Sequence, residues 1–182
     1  MFDAIFMDRD GTINHDPYGY INKLSDYHFF DYTFEALNLL NNFTEKFIIV
    51  TNQSGLSTGK VDLENLEEIH NHILREFEKK DLPLKKIYFA DNYEEGYDAM
   101  RKPGIGMFKK ASEEFKINLA NSLIIGDSIV DVRVGERLNM KTIFLLTGMG
   151  NDYINEVKST CNPDLISSDL LEAAKDIKLI LE

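Results

Sequence analysis

Short runs of β-branched, aromatic and aliphatic residues alternate along the chain with longer stretches whose apolar positions recur at helical spacing. The strand candidates are Phe2 to Met7, Lys46 to Thr51, Lys86 to Ala90, Ser122 to Gly126 and Lys141 to Leu146, with a last one near Asp164 to Ile166. The first five are apolar through their centres, the pattern of strands covered on both faces in a parallel sheet. Between them, Tyr32 to Phe43 sets Phe34, Leu37, Leu40 and Phe43 on one stripe, and Asp62 to Lys80 sets Leu63, Leu66, Ile69, Ile73 and Phe77 on another. Asp62 suits the N-cap of that second helix. A third helix is predicted from Pro103-Gly104 to about Lys116, a short one over Asp131 to Asn139, and a final one from about Ser168. Such alternation predicts an α/β fold, a mostly parallel sheet with helices on both faces. No repeat, low-complexity tract or linker interrupts it, so a single domain over 1–182 is expected.

Composition narrows the function without naming it. A chain of 182 residues, 43% of them hydrophobic, can bury the core of one medium-sized domain. Its net charge of -11 and pI near 4.8 repel a nucleic-acid backbone or an anionic membrane. Lys79-Lys80 and Lys85-Lys86 read as solvated flanks of a helix end and a strand start, not as a basic patch. One cysteine, Cys161, excludes an intrachain disulfide and a zinc site built mainly from thiolates. No apolar run approaches ~18 residues and no signal-peptide pattern opens the chain. The expectation is a cytoplasmic protein, a monomer, with neither nucleic acid nor membrane as partner.

In open parallel sheets ligands bind beyond the carboxyl ends of the strands, so the residues that follow each strand are informative together. Asp8-Arg9-Asp10-Gly11-Thr12 follows the first, Thr51-Asn52-Gln53-Ser54-Gly55 the second, a loop ending in Arg101-Lys102-Pro103-Gly104 the third, and Gly126-Asp127-Ser128 the fourth. Carboxylates at i and i+2 of an extended segment lie on the same side, so Asp8 and Asp10 need a cation, a proton or a chemical purpose. Alone, Asp-x-Asp-Gly is equally the opening of a surface turn. Joined by a hydroxyl, a lysine and a third aspartate, it acquires every part that phosphoryl transfer requires. Asp8 then attacks phosphorus and forms an aspartyl-phosphate, and Asp10 serves as general acid and then as general base. Thr51 and Lys102 face the phosphoryl oxygens. Mg²⁺ takes Asp8, Asp127 and Asp10, the last through its backbone carbonyl. Asp131, one helical turn past Asp127, either steadies Lys102 or caps a helix at the surface.

These motifs, in this order, resemble the haloacid dehalogenase (HAD) superfamily of phosphohydrolases over residues 3 to about 147. The detail of Arg9, Ile13-Asn14, Thr51-Asn52-Gln53-Ser54-Gly55 and Arg101-Lys102-Pro103-x-x-Gly106-Met107 resembles its small-capped subgroup. That subgroup includes heptose 1,7-bisphosphate phosphatases, histidinol-phosphate phosphatase domains and polynucleotide 3'-phosphatase domains. The resemblance implies a Rossmann-like sheet without a large cap and a Mg²⁺-dependent phosphatase of small phosphorylated metabolites, with specificity in loops. The heptose 7-phosphatases are the nearest match, histidinol phosphate the competing substrate, and a polynucleotide end the least suited to an acidic surface. Outside the enzymes, receiver modules also set an acidic pair, a hydroxyl and a lysine over a parallel sheet, but with the acceptor aspartate after the third strand.

Two loops bear on the substrate. His15-Asp16-Pro17-Tyr18-Gly19-Tyr20 offers an acid and aromatics to a sugar, and Asp16, Gly19 and Tyr20 match the heptose phosphatases once one residue is inserted; a turn over an aromatic cluster is the plain alternative. Asn52, Gln53 and Ser54 are further candidates for substrate contact, and Arg101 for a second anionic group or a structural ion pair. The other loop departs from the resemblance, which implies a zinc clamp of cysteines and a histidine before Arg101. Asp91 to Met100 holds neither Cys nor His, so no zinc is expected there. His70 and His72 do not replace the clamp, since they point to different sides of one helix.

Overall fold

The computed structural model describes residues 1–16 and 18–181. Six strands form one sheet: β1 (Ile5–Met7), β2 (Phe47–Asn52), β3 (Leu84–Ala90), β4 (Leu123–Gly126), β5 (Lys141–Leu145) and β6 (Leu165–Ser167). All pair in parallel, in the order β3-β2-β1-β4-β5-β6. The pleat sends alternate residues to opposite faces. Ile5, Met7, Ile49 and Ile125 therefore enter one apolar cluster, while Phe6, Ile48, Val50 and Ile124 enter another. Helices α1 (Thr33–Leu40), α2 (Leu63–Lys79) and α6 (Leu170–Asp176) cover the first face. Helices α3 (Gly106–Phe115) and α4 (Ile129–Arg137) cover the second, with α5 (Gly150–Thr160) against Phe144 and Ile166. The α/β architecture without a large cap is as the sequence predicts.

Local departures from the predicted elements have physical causes. The first helix stops at Leu40 and continues as a single 3₁₀ turn over Asn41–Phe43. In α2, Asp62 is the N-cap and accepts from the Glu64 N–H, but Leu63 is 50% exposed and lies off the core stripe. His70 instead fills a buried place on that stripe, beside Leu66, Ile69, Ile73 and Phe77. Helix α3 starts at Gly106, not at Pro103-Gly104, because the N–H groups of Gly104, Ile105 and Gly106 are tied back to the carbonyls of Arg101, Tyr97 and Ala99. Helix α4 starts before Asp131, with Ser128 as N-cap and Asp131 at N3 of a reciprocal capping box. Helix α5 was not predicted; Val157 is its only fully buried large side chain, so its stripe is faint.

This topology fixes the place of the chemistry. From β1 the chain first builds outward to β2 and β3, then returns to β4 on the other side of β1 and builds to β6. The order reverses between β1 and β4, and a crevice opens there beyond the carboxyl ends of the strands.

Candidate active site

Asp8 and Asp127 leave β1 and β4 on the two sides of that crevice. The turn after Asp8 is tight: the N–H groups of Thr12, Ile13 and Asn14 all converge on the Arg9 carbonyl, at 3.3, 3.0 and 3.4 Å. Gly11 takes φ +77°, and a Cβ there would lie 2.1 Å from Asp127 Oδ2. Only glycine fits both the conformation and the space. Asp8 Oδ1 accepts from the Arg9 N–H at 2.7 Å, and its Oδ2 lies 2.9 Å from Lys102 Nζ. Lys102 is fully buried and also bonds Asp131 Oδ1 at 2.7 Å. Burial works against its charge, but Asp131 and Asp8 outweigh burial and hold its pKa above the ordinary lysine value. Asn52 clamps the lysine backbone on both sides, accepting from the Lys102 N–H at 2.9 Å and donating to its carbonyl at 3.1 Å. Asp131 meets both expectations at once: it holds Lys102 and its Oδ2 accepts from the Ser128 N–H at 3.2 Å, although it is buried and not at the surface.

Asp10 occupies the other side of the crevice. Arg9 forks onto it through Nε (3.1 Å) and Nη2 (2.8 Å), while Asn14 Nδ2 (2.9 Å) and Gln53 Nε2 (3.0 Å) donate to its two oxygens. Burial favours the neutral acid, yet the Arg9 charge and these donors prevail and hold its pKa below the usual carboxylate range. Gln53 donates as well to Thr51 Oγ1, at 2.9 Å. It is thus a link between Thr51 and Asp10, set inward.

Oxygens of Asp8, Asp127 and Asp131 lie within 4.8 Å of one another. Burial first, then the charges of Asp8 and Asp131, push the Asp127 carboxyl well above its ordinary pKa. Three clustered carboxylates fit a hard divalent cation: Asp8 and Asp131 share the Lys102 ammonium, while Asp127 accepts a single backbone bond and keeps an oxygen free for the ion. The loop after β5 supports this corner. Met149 N–H donates to Asp127 Oδ2 at 2.7 Å, and Thr147 Oγ1 to the Gly11 carbonyl at 2.6 Å. From sequence, Thr147 and Met149 have no assigned role and Asn14 none beyond its place in the Ile13-Asn14 motif; the end of β5 leads to Thr147-Gly148-Met149.

Asp8, Asp10, Thr51, Asn52 and Asp127 line a cleft of about 180 Å³ whose outer side is formed by Asp16 and Gly19. A larger concavity of about 600 Å³ runs along β3, where Lys86 pairs with Glu114, but it holds none of the candidate residues that follow the strand ends. Asp16 Oδ1 accepts from the Tyr18 N–H at 2.8 Å, and burial is the main cause of its raised pKa. Tyr20 is farther out, 40% exposed, with its hydroxyl 2.8 Å from that of Tyr93. Pro17 lies outside the described residues. Ser54 donates inward to the Asn92 carbonyl at 2.6 Å and accepts from Arg101 Nε at 3.2 Å. Arg101 lies over the Tyr93 ring, 5.5 Å from its centroid, and makes no ion pair among the described residues. Asp91, the residue a receiver module would need in the acidic crevice, lines a different hollow beside Leu56 and Leu63.

Comparison with known proteins agrees with this geometry. Residues 99–173 match a family described as HAD-hydrolase-like. The chain is 36% identical over 143 residues to a D-glycero-alpha-D-manno-heptose-1,7-bisphosphate 7-phosphatase of Campylobacter jejuni, covering 79% of this chain and 81% of the relative. A D-glycero-beta-D-manno-heptose-1,7-bisphosphate 7-phosphatase of Photorhabdus laumondii is 32% identical over 183 residues, with 96% of each covered. The chain belongs to the HAD-like hydrolase family and is a phosphatase. Within that family it falls in the subgroup to which these heptose-bisphosphate phosphatases belong. The crystal structure of the D,D-heptose 1,7-bisphosphate phosphatase of B. bronchiseptica has the same fold, with a TM-score of 0.84 at 22% identity over 97% of this chain and 98% of the other. No helix among the described residues is long and apolar enough to cross a membrane.

Proposed function

We propose that the protein is a Mg²⁺-dependent phosphomonoesterase of a small sugar phosphate, D-glycero-D-manno-heptose 1,7-bisphosphate in the first place, working through an aspartyl-phosphate on Asp8. The observation that carries the reading is the placement of Asp8 between Lys102 and Asp10 at the switch point, in a chain whose relatives are named for that substrate. The B. bronchiseptica neighbour was crystallised with magnesium and phosphate. Here Asp8, Asp127 and the Asp10 carbonyl would hold Mg²⁺, which when bound neutralises the charge of Asp8 and of the incoming phosphate.

One Asp8 oxygen attacks phosphorus in line, and the bond from phosphorus to the sugar oxygen breaks. Asp10 gives that oxygen its proton and the alcohol leaves. Asp10 is met only by N–H donors and rests as a carboxylate, so the proton of the phosphate monoester, whose second pKa is about 6, passes through Asp10 to the leaving oxygen as the P–O bond breaks and that oxygen becomes the stronger base. The low pKa then makes it a strong acid toward an alkoxide. In the second half Asp10 takes a proton from water, the hydroxide attacks phosphorus, and Asp8 is released with inorganic phosphate. Lys102 and Thr51 meet the equatorial oxygens, while Asp16, Gly19 and Tyr20 face the sugar and Arg101 a second anionic group.

A phosphate-release screen tests this with heptose bisphosphate, histidinol phosphate and a 3'-phosphorylated oligonucleotide, with Mg²⁺ and with chelator. We expect the highest kcat/KM for the bisphosphate, loss of turnover in chelator, and an inactive Asp8→Asn variant. Turnover by Asp8→Asn would remove the covalent mechanism, and a preference for histidinol phosphate would remove the substrate.

A further inference from the structure

Arg9 heads the large side chains of the described residues that have no solvent exposure. Two of its nitrogens are taken by Asp10, the next residue in the chain. Neighbours in sequence move together, so that fork by itself does not anchor either group to the fold. The third terminal nitrogen, Nη1, points away from the cleft to His70 Nε2, 3.2 Å distant on the buried stripe of α2. The Tyr27 ring lies 6.0 Å from Arg9 Cζ and the Phe89 ring 5.5 Å from the His70 ring, and the pair is buried, with Arg9 unexposed and His70 7% exposed. A guanidinium only donates, so Nε2 must carry the lone pair and the ring proton must sit on Nδ1. Burial and the Arg9 charge push the His70 pKa down to about 3, against the weaker pull of Asp10. The ring is a neutral acceptor.

We propose that His70 is a positioning residue for the proton-transfer step: by accepting from Arg9 Nη1 it ties the Arg9–Asp10 fork to helix α2 and fixes the direction in which Asp10 meets the leaving oxygen. This rests on the phosphatase reading given above. Asn14 and Gln53 each hold one Asp10 oxygen, so loss of His70 misaligns the acid without freeing it. General acid–base catalysis contributes about 10² to 10⁴-fold, and a partial misalignment forfeits about tenfold of it.

The test compares His70→Leu, which has no acceptor, with His70→Gln, whose amide oxygen reaches the Nε2 position, on two esters. For an alkyl phosphate, whose leaving oxygen needs a proton, kcat/KM of His70→Leu should fall about tenfold through kcat, with KM within about twofold. For p-nitrophenyl phosphate, whose phenolate leaves unprotonated, kcat/KM of the same variant, which reports the steps up to departure of the phenolate and not the later hydrolysis in which Asp10 is the base, should stay within about twofold to threefold of wild type. His70→Gln should recover most of the alkyl rate. An equal loss on both esters, or equal loss in the Gln and Leu variants, would overturn the positioning role. Should His70→Leu not fold, the imidazole ¹⁵N spectrum of the wild type decides: a bare Nε2 and a protonated Nδ1 from pH 6 to 8 support the bond, and a protonated Nε2 refutes it. A wild type that releases phosphate from neither ester overturns the phosphatase reading, whereas an active wild type with an unaffected His70→Leu overturns only the present inference.

Discussion

At the floor of the cleft Lys102, Asp8, Asp10 and Asp131 each have two or more partners, whereas along the rim most side chains are held by one. Lys102 bonds two carboxylates and its backbone is clamped by Asn52; Asp10 accepts from Arg9, Asn14 and Gln53. Tyr18, by contrast, touches the far side through a single bond from its hydroxyl to the Gly148 carbonyl at 3.1 Å. Tyr20 and Tyr93 meet hydroxyl to hydroxyl while remaining 40% and 48% exposed. The difference separates two tasks. Reaction geometry tolerates little motion, and the floor is over-determined; choice of ester resides in the rim, where one residue can change without disturbing its neighbours.

The contrast is broken most directly at Lys102. In Lys102→Met the buried Asp131 and the half-buried Asp8 lose their shared cation, and the proposed phosphoryl contact goes with it. We expect kcat/KM to fall by about 10² to 10³-fold and stability to drop by about 3 to 5 kcal/mol, read by phosphate release and by denaturant unfolding in chelator. A variant of wild-type stability would show that the floor is less interlocked than its hydrogen bonds indicate.

Acid provides a second, smaller separation. The pKa of His70 is lowered in the fold from 6.5 to about 3, so between those values the unfolded chain binds the extra proton and stability falls as pH falls. Arg9 and Asp10 are the charges that face the ring, and the Phe89 ring packs against it. At the rim the sign reverses, since Asp16 is raised in the fold and acidification relieves it. From pH 6.5 to about pH 5 the wild type should lose about 1.7 kcal/mol more than His70→Gln, the slope rising from about half of its limit of ~1.4 kcal/mol per pH unit to that limit. Parallel unfolding curves for the two proteins over that range would show that His70 titrates normally.

The floor was far more legible in sequence than the rim. Asp8 and Asp127 directly follow β1 and β4, Thr51 stands near the end of β2 and Lys102 in the loop after β3, so apolar runs and the rule that ligands gather beyond strand ends point to them. What escaped notice depends on tertiary burial. The sequence suggests Gln53 as a substrate contact, whereas its amide turns inward and donates to both Thr51 and Asp10. The sequence marks His70 only as a possible metal ligand, because its partner Arg9 is 61 positions away and nothing local signals the bond. Asp131 offered two alternatives that a buried carboxylate with two oxygens fulfils together. Helix α5 escaped because packing of Val157 alone imposes no readable period.

The rim is sharpened by the smallest change, the loss of one hydroxyl. Tyr20 packs its ring against Gly55, where an added Cβ would lie 2.7 Å from it, and Lys60 lies over the ring's face at 5.7 Å. Tyr93 stacks under Arg101. Tyr20→Phe and Tyr93→Phe retain both rings and remove only the bond between the loops. A hydrogen bond at such exposure contributes about 0.5 to 1 kcal/mol, so each variant should raise KM for a sugar bisphosphate about twofold to threefold while kcat stays level. Because both substitutions break the same contact, their effects should not add: the double variant should match either single one, with the coupling energy equal to one bond. With p-nitrophenyl phosphate, which has no sugar to reach the rim, none of the three should differ from wild type. A fall in kcat on that ester would mean that the tyrosine pair governs the floor, and the two regions would then have to be treated as one.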